Sequence, residues 1–297
     1  MTSIQPGRAA SSGSRSVGTT RAAGLLGDTT ARDYSQKLTL FNSFAERELR
    51  QAIASLDLKP GMRALDAGCG TGEVLAWLRD AVMPGGEVIG IDLARAHVAI
   101  ACRHLAAPAW IVQADLLRAP FPPTCFDLIW CVNTLNHLRD PLEGVRTLAT
   151  LLRPGGRIAL GQSSLLPDMY FAWDARLERL VNEAVRRYYR DRYDLDEREL
   201  ASVRSNVGVL RRAGLGNVTV RTLMIERVPP LTPADEAYLL QAIFRDTWGE
   251  RLRDYLPAED FAELTCLCDP RHPDFALGRP DFHFLQTFTL AVGEVLP

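Results

Sequence analysis

Ala64-Leu65-Asp66-Ala67-Gly68-Cys69-Gly70-Thr71-Gly72-Glu73 decides how this chain folds. The apolar run ending at Leu65 reads as a buried strand, closed by an acid and followed by glycines at alternate positions. Glycine lets a backbone turn tightly and approach a ligand where a Cβ would collide. Glu73 to Arg79 then reads as a helix, whose first N–H groups face the same spot. Strand, glycine turn and helix N-terminus together predict a nucleotide-cofactor site.

Outward from that turn, a strand–helix rhythm continues. Strands are predicted at 62–66, 87–92, 109–113, 126–132 and 157–162, with helices at 73–81, 95–105 and 141–152 punctuated by Pro84-Gly85-Gly86 and Pro154-Gly155-Gly156. Near-continuous apolar strands alternating with helices indicate an α/β fold, with a parallel sheet covered on both faces. The pattern is helical over 33–56, with Leu38, Phe41, Phe44 and Leu49 recurring along it. After residue 163 the rhythm breaks. Helices are expected at about 172–190 and 196–213, residues 233–268 are expected to be mostly helical from Pro233, and strands are expected at 217–228 and 281–292. Residues 1–28, rich in Ser, Gly, Thr, Ala and Arg, read as a disordered leader. The rest, 29–297, reads as one domain with helical additions at about 29–58, 164–197 and 230–278.

Composition excludes several classes. A net charge of −2 gives no reason to invoke nucleic acid or an anionic membrane, and 47% hydrophobic residues are ample for a core over 297 residues. Residues 1–28 lack an apolar signal-peptide region and no run reaches membrane-spanning length, so a cytoplasmic location is expected. None of the six cysteines forms a Cys-x-x-Cys pair or sits at zinc-ligand spacing, and no metal is expected. Cys266 and Cys268 are expected to be reduced and buried in a helix.

Three carboxylates narrow the cofactor. The glycine spacing is G-x-G-x-G rather than G-x-G-x-x-G, with Asp66 directly before it; a carboxylate there can meet an ammonium group, which NAD lacks. Asp92 ends the second strand twenty residues beyond Gly72, suited to two ribose hydroxyls. Asp115 follows the third strand and can accept from an exocyclic adenine amine. Each also has a plainer reading, as a strand-end polar residue or a helix cap.

Leu65-Asp-Ala-Gly-Cys-Gly-Thr-Gly72, then Ile91-Asp-Leu93, Ala114-Asp-Leu116, Phe126-Asp-Leu-Ile-Trp130 and Leu151-Leu-Arg-Pro-Gly-Gly-Arg157, resembles the class I S-adenosylmethionine-dependent methyltransferases. The ubiquinone/menaquinone-biosynthesis type and its small-molecule relatives are the nearest pattern, over about residues 60–162. The resemblance implies a Rossmann-like, seven-stranded, mostly parallel sheet with a reversed last strand, and helical insertions forming a lid. It implies S-adenosylmethionine as cofactor. Asp66 and the turn Gly68, Cys69, Gly70, Thr71, Gly72 would hold the methionine part, with Cys69 present for its small size. Asp92 and Leu93 would hold ribose and adenine, Asp115 and Leu116 the adenine edge. Val132 and Asn133 would lie beside the sulfonium. Tyr34 stands on the N-terminal segment that folds over the cofactor in related enzymes.

The acceptor side carries weaker signals. Asn133 to Pro141 lacks the Asn/Asp-Pro-Pro-Tyr/Phe pattern of enzymes that methylate nitrogens in nucleic acid or protein, which favours a small-molecule acceptor, as in secondary metabolism. His137 occupies the place of a general base in several small-molecule O-methyltransferases, so O-methylation is expected ahead of N- or C-methylation. The other readings of His137 are a pocket-lining or loop-ordering ring. The carboxylate that often accompanies such a histidine is missing at Gln162-Ser163-Ser164, and Asp168 is the first acid after it. Met169 to Trp173, Phe41 and Phe44 read either as an aromatic wall for a flat or lipophilic acceptor or as ordinary core. Arg186 to Tyr193 reads as an anion clamp or, by default, a solvated helix face. A homo-oligomer is compatible with the sequence. Two other classes share these signals: a methyltransferase fold catalysing a non-methylating reaction such as cyclisation, and a non-catalytic cofactor-binding module.

Overall fold

A computed structural model describes residues 34–104, 109–163, 174–193 and 205–296. The leader at 1–28, Asp168 and the stretch 169–173 lie outside the described residues. Seven strands form one sheet: β1 (Arg63–Ala67), β2 (Glu87–Asp92), β3 (Ala109–Gln113), β4 (Phe126–Val132), β5 (Leu152–Ser163), β6 (Gly216–Arg227) and β7 (Phe284–Glu294). Their spatial order is β3-β2-β1-β4-β5-β7-β6. β1 to β5 run parallel, while β7 is antiparallel to both of its neighbours. The last strand in sequence is thus the reversed one, as the resemblance implies, and it is inserted between β5 and β6.

The strand order turns back at β1 and β4, and the crevice beyond their carboxyl ends is where ligands bind in such sheets. β1 and β4 are held there by burial on both faces: Leu65, Leu128, Ile129, Trp130 and Cys131 are all buried. The helices follow from their apolar spacing. In α3 (Glu73–Val82), Val74, Leu75, Leu78 and Val82 recur along one buried face. α4 (Arg95–His104) and α5 (Pro141–Ala149) complete the core, the latter started by Pro141 and capped by Asp140, which accepts from the Glu143 N–H at 3.0 Å.

The helical segment expected over 33–56 is built of two helices, α1 (Ser35–Phe44) and α2 (Glu46–Ala54), meeting at Ala45. The break has a partner: the Phe44 carbonyl accepts from Arg227 Nη2 at 2.5 Å. The expected helix over 172–190 is α6 (Ala175–Tyr193), burying Leu177, Val181, Ala184 and Val185. α7 (Asn206–Arg212) is the described part of the helix expected over 196–213. The region expected to be mostly helical over 233–268 is a succession of helical pieces. It begins as α8 (Pro233–Ala237) with a reciprocal Thr232/Asp235 cap, and widens into a π-helical stretch (Tyr238–Trp248). It stops at Gly249, where a Cβ would run into the Arg245 carbonyl. A 3₁₀ stretch (Glu250–Tyr255) follows, and Pro257 then starts α9 (Ala258–Cys268). Propensity alone does not register these steric stops.

These additions are tied to the sheet by one largely covered cation, its side chain 11% exposed. Arg227, at the end of β6, donates from Nε to Asp235 at 2.6 Å, from Nη1 to Glu48 Oε1 at 3.0 Å and from Nη2 to Glu48 Oε2 at 3.1 Å. Its guanidinium also lies 4.6 Å from the Phe44 ring centroid. Glu48 is only 2% exposed. Burial pushes its carboxyl up, but the Arg227 hydrogen bonds and charge reverse that, leaving it below the usual range. Removing one member of such a cluster strands a buried charge, at about 3–5 kcal/mol. Arg227→Met should therefore lower the urea-unfolding free energy by about 3–5 kcal/mol, and adding Glu48→Gln should recover part of that loss.

Candidate functional site

The glycine turn leaves β1 with its acid already buried. Asp66 is 3% exposed and accepts no hydrogen bond from the described residues. Its carboxyl is pushed up to about 8, first by burial and then by the nearby Asp92 and Glu73 charges. Gly68, Gly70 and Gly72 have φ of +84°, +54° and +91°, the left-handed region that glycine occupies without strain. A Cβ on Gly68 would collide with the Thr134 side chain, so the turn and the loop after β4 are in direct contact.

Asp92 holds this turn from the neighbouring strand. Gly68 and Cys69 donate their N–H groups to the Ile91 carbonyl at 2.8 and 3.0 Å, and Gly70 donates to Asp92 Oδ2 at 2.9 Å. Asp92 Oδ1 accepts from the Ala94 N–H at 2.8 Å, and His97 Nδ1 lies 3.3 Å from the same oxygen. Cys69 is buried against Gly90, whose Cβ would sit 2.8 Å from its sulfur. Burial raises the Cys69 thiol pKa, which removes it from thiolate chemistry near neutrality.

α1 closes the other side. Leu38 Cδ1 stands 3.0 Å from where a Gly70 Cβ would be. Glu73, opening α3, accepts from Thr39 at 2.9 Å, Asn42 at 3.0 Å and Thr71 at 2.6 Å. The hydroxyl of Thr71 is thereby spent on Glu73. Gln36 Nε2 reaches Gln241 Oε1 at 2.8 Å, so α1 also bridges to the π-helical segment.

Further along the carboxyl edge, Asp115 accepts from the Leu117 N–H at 2.9 Å and caps the 3₁₀ turn Leu116–Arg118. Its plainer reading as a cap is therefore realised in this structure, and its other oxygen is a separate acceptor. Leu93 and Leu116 are partly buried against one apolar cluster. Asn133 adopts φ of +51°, donates its N–H to Gly161 at 2.9 Å, and accepts from Ser163 N and Oγ at 2.9 and 3.0 Å. It ties the ends of β4 and β5 together. Val132 packs across Gly161, where a Cβ would clash with it.

His137 ends the 3₁₀ turn Leu135–His137, partly buried, with its ring centroid 6.5 Å from that of Tyr34. Burial lowers its pKa, the Asp92 charge opposes this, and His97 reinforces it. The imidazole is therefore neutral near pH 7 and able to accept a proton. No carboxylate among the described residues forms a hydrogen bond or ion pair with it.

Other expected features separate from the site. Phe41 and Phe44 are buried core, Phe44 stacking on Tyr238 at 4.2 Å, rather than a pocket wall. Tyr188 packs edge-on against Tyr255 and Arg187 lies 5.5 Å over the same ring, so the Arg186–Tyr193 cluster is engaged with the 250–255 turn. Cys266 and Cys268 are free thiols on α9, partly rather than fully buried. No group of three or more metal-ligating side chains comes together among the described residues, and no described helix is long and apolar enough to cross a membrane. Sequence reasoning passed over His97. Its signal was a histidine four residues before buried Ala101 on an otherwise apolar helix face.

Residues 65–160 match the family model described as "Methyltransferase domain". The chain is 34% identical over 116 residues to 27-O-demethylrifamycin SV methyltransferase of Amycolatopsis mediterranei, covering 38% of this chain and 43% of that protein. It is 37% identical over 114 residues to 2-phytyl-1,4-naphtoquinone methyltransferase of Thermosynechococcus vestitus, covering 37% and 50% respectively. The chain thus spans half or less of the length of these curated relatives. The fold is similar to that of the YcgJ protein from Bacillus subtilis, with a TM-score of 0.54 at 17% identity over 85% of this chain and 99% of that one.

The raised Asp66 pKa has a signed consequence. Between the ordinary carboxylate value near 4 and the folded value of about 8, the folded state holds a proton that the unfolded state has lost. Stability from this group is complete below about pH 4 and drains away as pH climbs to about 8. Asp66→Asn should flatten that slope, and at pH 8 should raise the unfolding free energy of the ligand-free protein by at least about 1 kcal/mol in urea titrations.

Proposed function

Residues 65–160 are a methyltransferase domain on the class I fold, and from that premise we propose that the chain moves the methyl group of S-adenosylmethionine to a small-molecule acceptor, preferentially to oxygen. The observation that carries the reading is Asp66: a buried carboxyl with no hydrogen-bond donor from the described residues, at the foot of a turn cleared of Cβ atoms. Burying an acid in this way is costly unless a partner arrives, and an ammonium group is such a partner. NAD brings none. S-adenosylmethionine does, and it supplies an activated methyl group on sulfonium.

The chain's own residues would then divide the work. Asp66 and the Gly68–Gly72 turn, with Cys69 and Thr71, hold the amino-acid end. Asp92 accepts from ribose, while Leu93, Asp115 and Leu116 border the base. Asn133, fixed by Ser163 and Gly161, and Val132 beside it form the wall next to the reacting centre. Tyr34 and α1 cover the turn. The described parts of the segments at about 29–58, 164–197 and 230–278 act as a lid within the 29–297 domain, excluding water and orienting the acceptor. Alignment in a closed site is worth about 7–11 kcal/mol of barrier. His137, neutral near pH 7, accepts the acceptor hydroxyl's proton as the oxygen attacks. The acceptor is aromatic or lipophilic in this reading, and the reaction runs in the cytoplasm.

Calorimetric titration with S-adenosylmethionine should show binding that Asp92→Ala abolishes; no heat from the wild-type protein would sink the cofactor assignment. With Asp66 near 8, binding at pH 7 should release close to one proton, seen by repeating the titration in buffers of different ionisation enthalpy. Affinity should rise from pH 6 to pH 8, and Asp66→Asn should lose both the proton release and this dependence.

Catalysis is read separately, as release of S-adenosylhomocysteine with a panel of phenolic, hydroxylated and amine acceptors. Turnover of a hydroxyl acceptor should fall about 10²–10⁴-fold in His137→Ala. Full activity in that variant would remove His137 as base, and binding without turnover across the panel would favour a non-methylating protein.

A further inference from the structure

His97 lies in the first turns of α4, only 6% exposed, with Nδ1 3.3 Å from Asp92 Oδ1. Because a carboxylate accepts, Nδ1 is the nitrogen that donates across this contact. The opposite nitrogen, Nε2, is buried without any hydrogen-bond partner. A histidine kept only to fill this space would be a poor choice. A methionine of similar length would pack against the apolar face near Ala101 without stranding a polar atom. The ring's reason for being there is on its Nδ1 side.

That side completes the hold on Asp92. Oδ1 takes the Ala94 N–H and the His97 Nδ1–H, which use both of its lone pairs, while Oδ2 takes the Gly70 N–H and keeps one lone pair open. Backbone donors from two different loops and one imidazole thus fix the rotation of a single carboxylate.

We propose that His97 is a positioning residue for the nucleoside end of the site, holding the Asp92 carboxylate so that its open lone pair is presented to a ribose hydroxyl. His97 acts on the ligand only through Asp92. The proposal rests on the cofactor reading above and adds a residue to it that lies outside the glycine turn and the three acidic positions.

The test is calorimetric titration of S-adenosylhomocysteine, and of its 2′,3′-dideoxy analogue, into wild type, His97→Met, His97→Asn and Asp92→Ala. His97→Met should weaken S-adenosylhomocysteine about ten- to a hundredfold, the loss of one hydrogen bond to a charged group. It should bind the dideoxy analogue within about twofold of wild type. It should still melt cooperatively, since Met removes the stranded Nε2 along with the Nδ1 donor. His97→Asn keeps a donor near the Nδ1 position and should bind within about threefold of wild type. Equal affinity of His97→Met and wild type for S-adenosylhomocysteine would overturn the proposal, as would an equal loss against both ligands.

Two failures are distinguishable. If wild type binds and Asp92→Ala does not, a neutral His97→Met removes the positioning role alone. If wild type binds neither ligand, the cofactor reading falls and the positioning role falls with it. Should His97→Met not fold, ¹⁵N-resolved imidazole spectra of the wild type decide: the proton should stay on Nδ1 in free and bound protein, and a bound form protonated on Nε2 alone would overturn the proposal.

Discussion

The Asp92 carboxylate is the constraint on which the rest of this crevice depends. A glycine turn with three left-handed residues has few intrinsic preferences to keep it in one shape. Here the Gly70 N–H is drawn onto Asp92 Oδ2, and the Gly68 and Cys69 N–H groups onto the carbonyl just before it. The ends of β1 and β2 are thereby locked in a common geometry. The same carboxylate receives the start of α4 through Ala94 and His97. Charge-assisted hydrogen bonds of this kind are stronger than neutral ones, and the partial burial of the site limits screening by water.

A second cluster transmits that order outward. Glu73 opens α3 directly after the turn and gathers Thr39, Asn42 and Thr71, which fastens α1 across the crevice. α1 in turn ends at Phe44, whose carbonyl and ring are both engaged by Arg227. Through Glu48 and Asp235 the same guanidinium joins α2 and α8 to the far edge of the sheet. The chain beyond residue 200 thus bears on the glycine turn through a short series of ion pairs and hydrogen bonds. Asp66, directly before the turn, stays buried with no hydrogen-bond donor from the described residues.

Much of the fold was legible because strand and helix periodicities are strong where both faces of a sheet are buried. The strands expected at 87–92, 109–113 and 126–132 match the observed spans, and β1 differs by a single residue. Where a helical region breaks into pieces, distant contacts act on top of the local pattern. The helical segment over 33–56 divides at Ala45, beside a carbonyl claimed by an arginine more than 180 residues away. The stretch over 233–268 changes winding and then stops, because of Gly249 and Pro257 and because Thr247 bonds back to the Ala242 carbonyl. Phe41 and Phe44, legible as aromatic and apolar, gave no sign of facing the core rather than a pocket until Tyr238 was placed against them.

The sequence by itself determined the chemistry available at the crevice: an acid before a G-x-G-x-G turn, acids at the ends of the next two strands, and a histidine after the fourth. Those are properties of residue type and spacing, and they survive without coordinates. Only the tertiary structure decided how the acids differ. Asp66 is buried without a donor and rises to about 8, Asp92 is saturated by donors on all but one lone pair, and Asp115 spends one oxygen on a cap. The physical reason is that a carboxylate's behaviour is set by desolvation and by the donors around it, and those come from segments far apart in the chain. His97 is the plainest instance: an unremarkable helix residue in the sequence, and in the fold the third hand on Asp92.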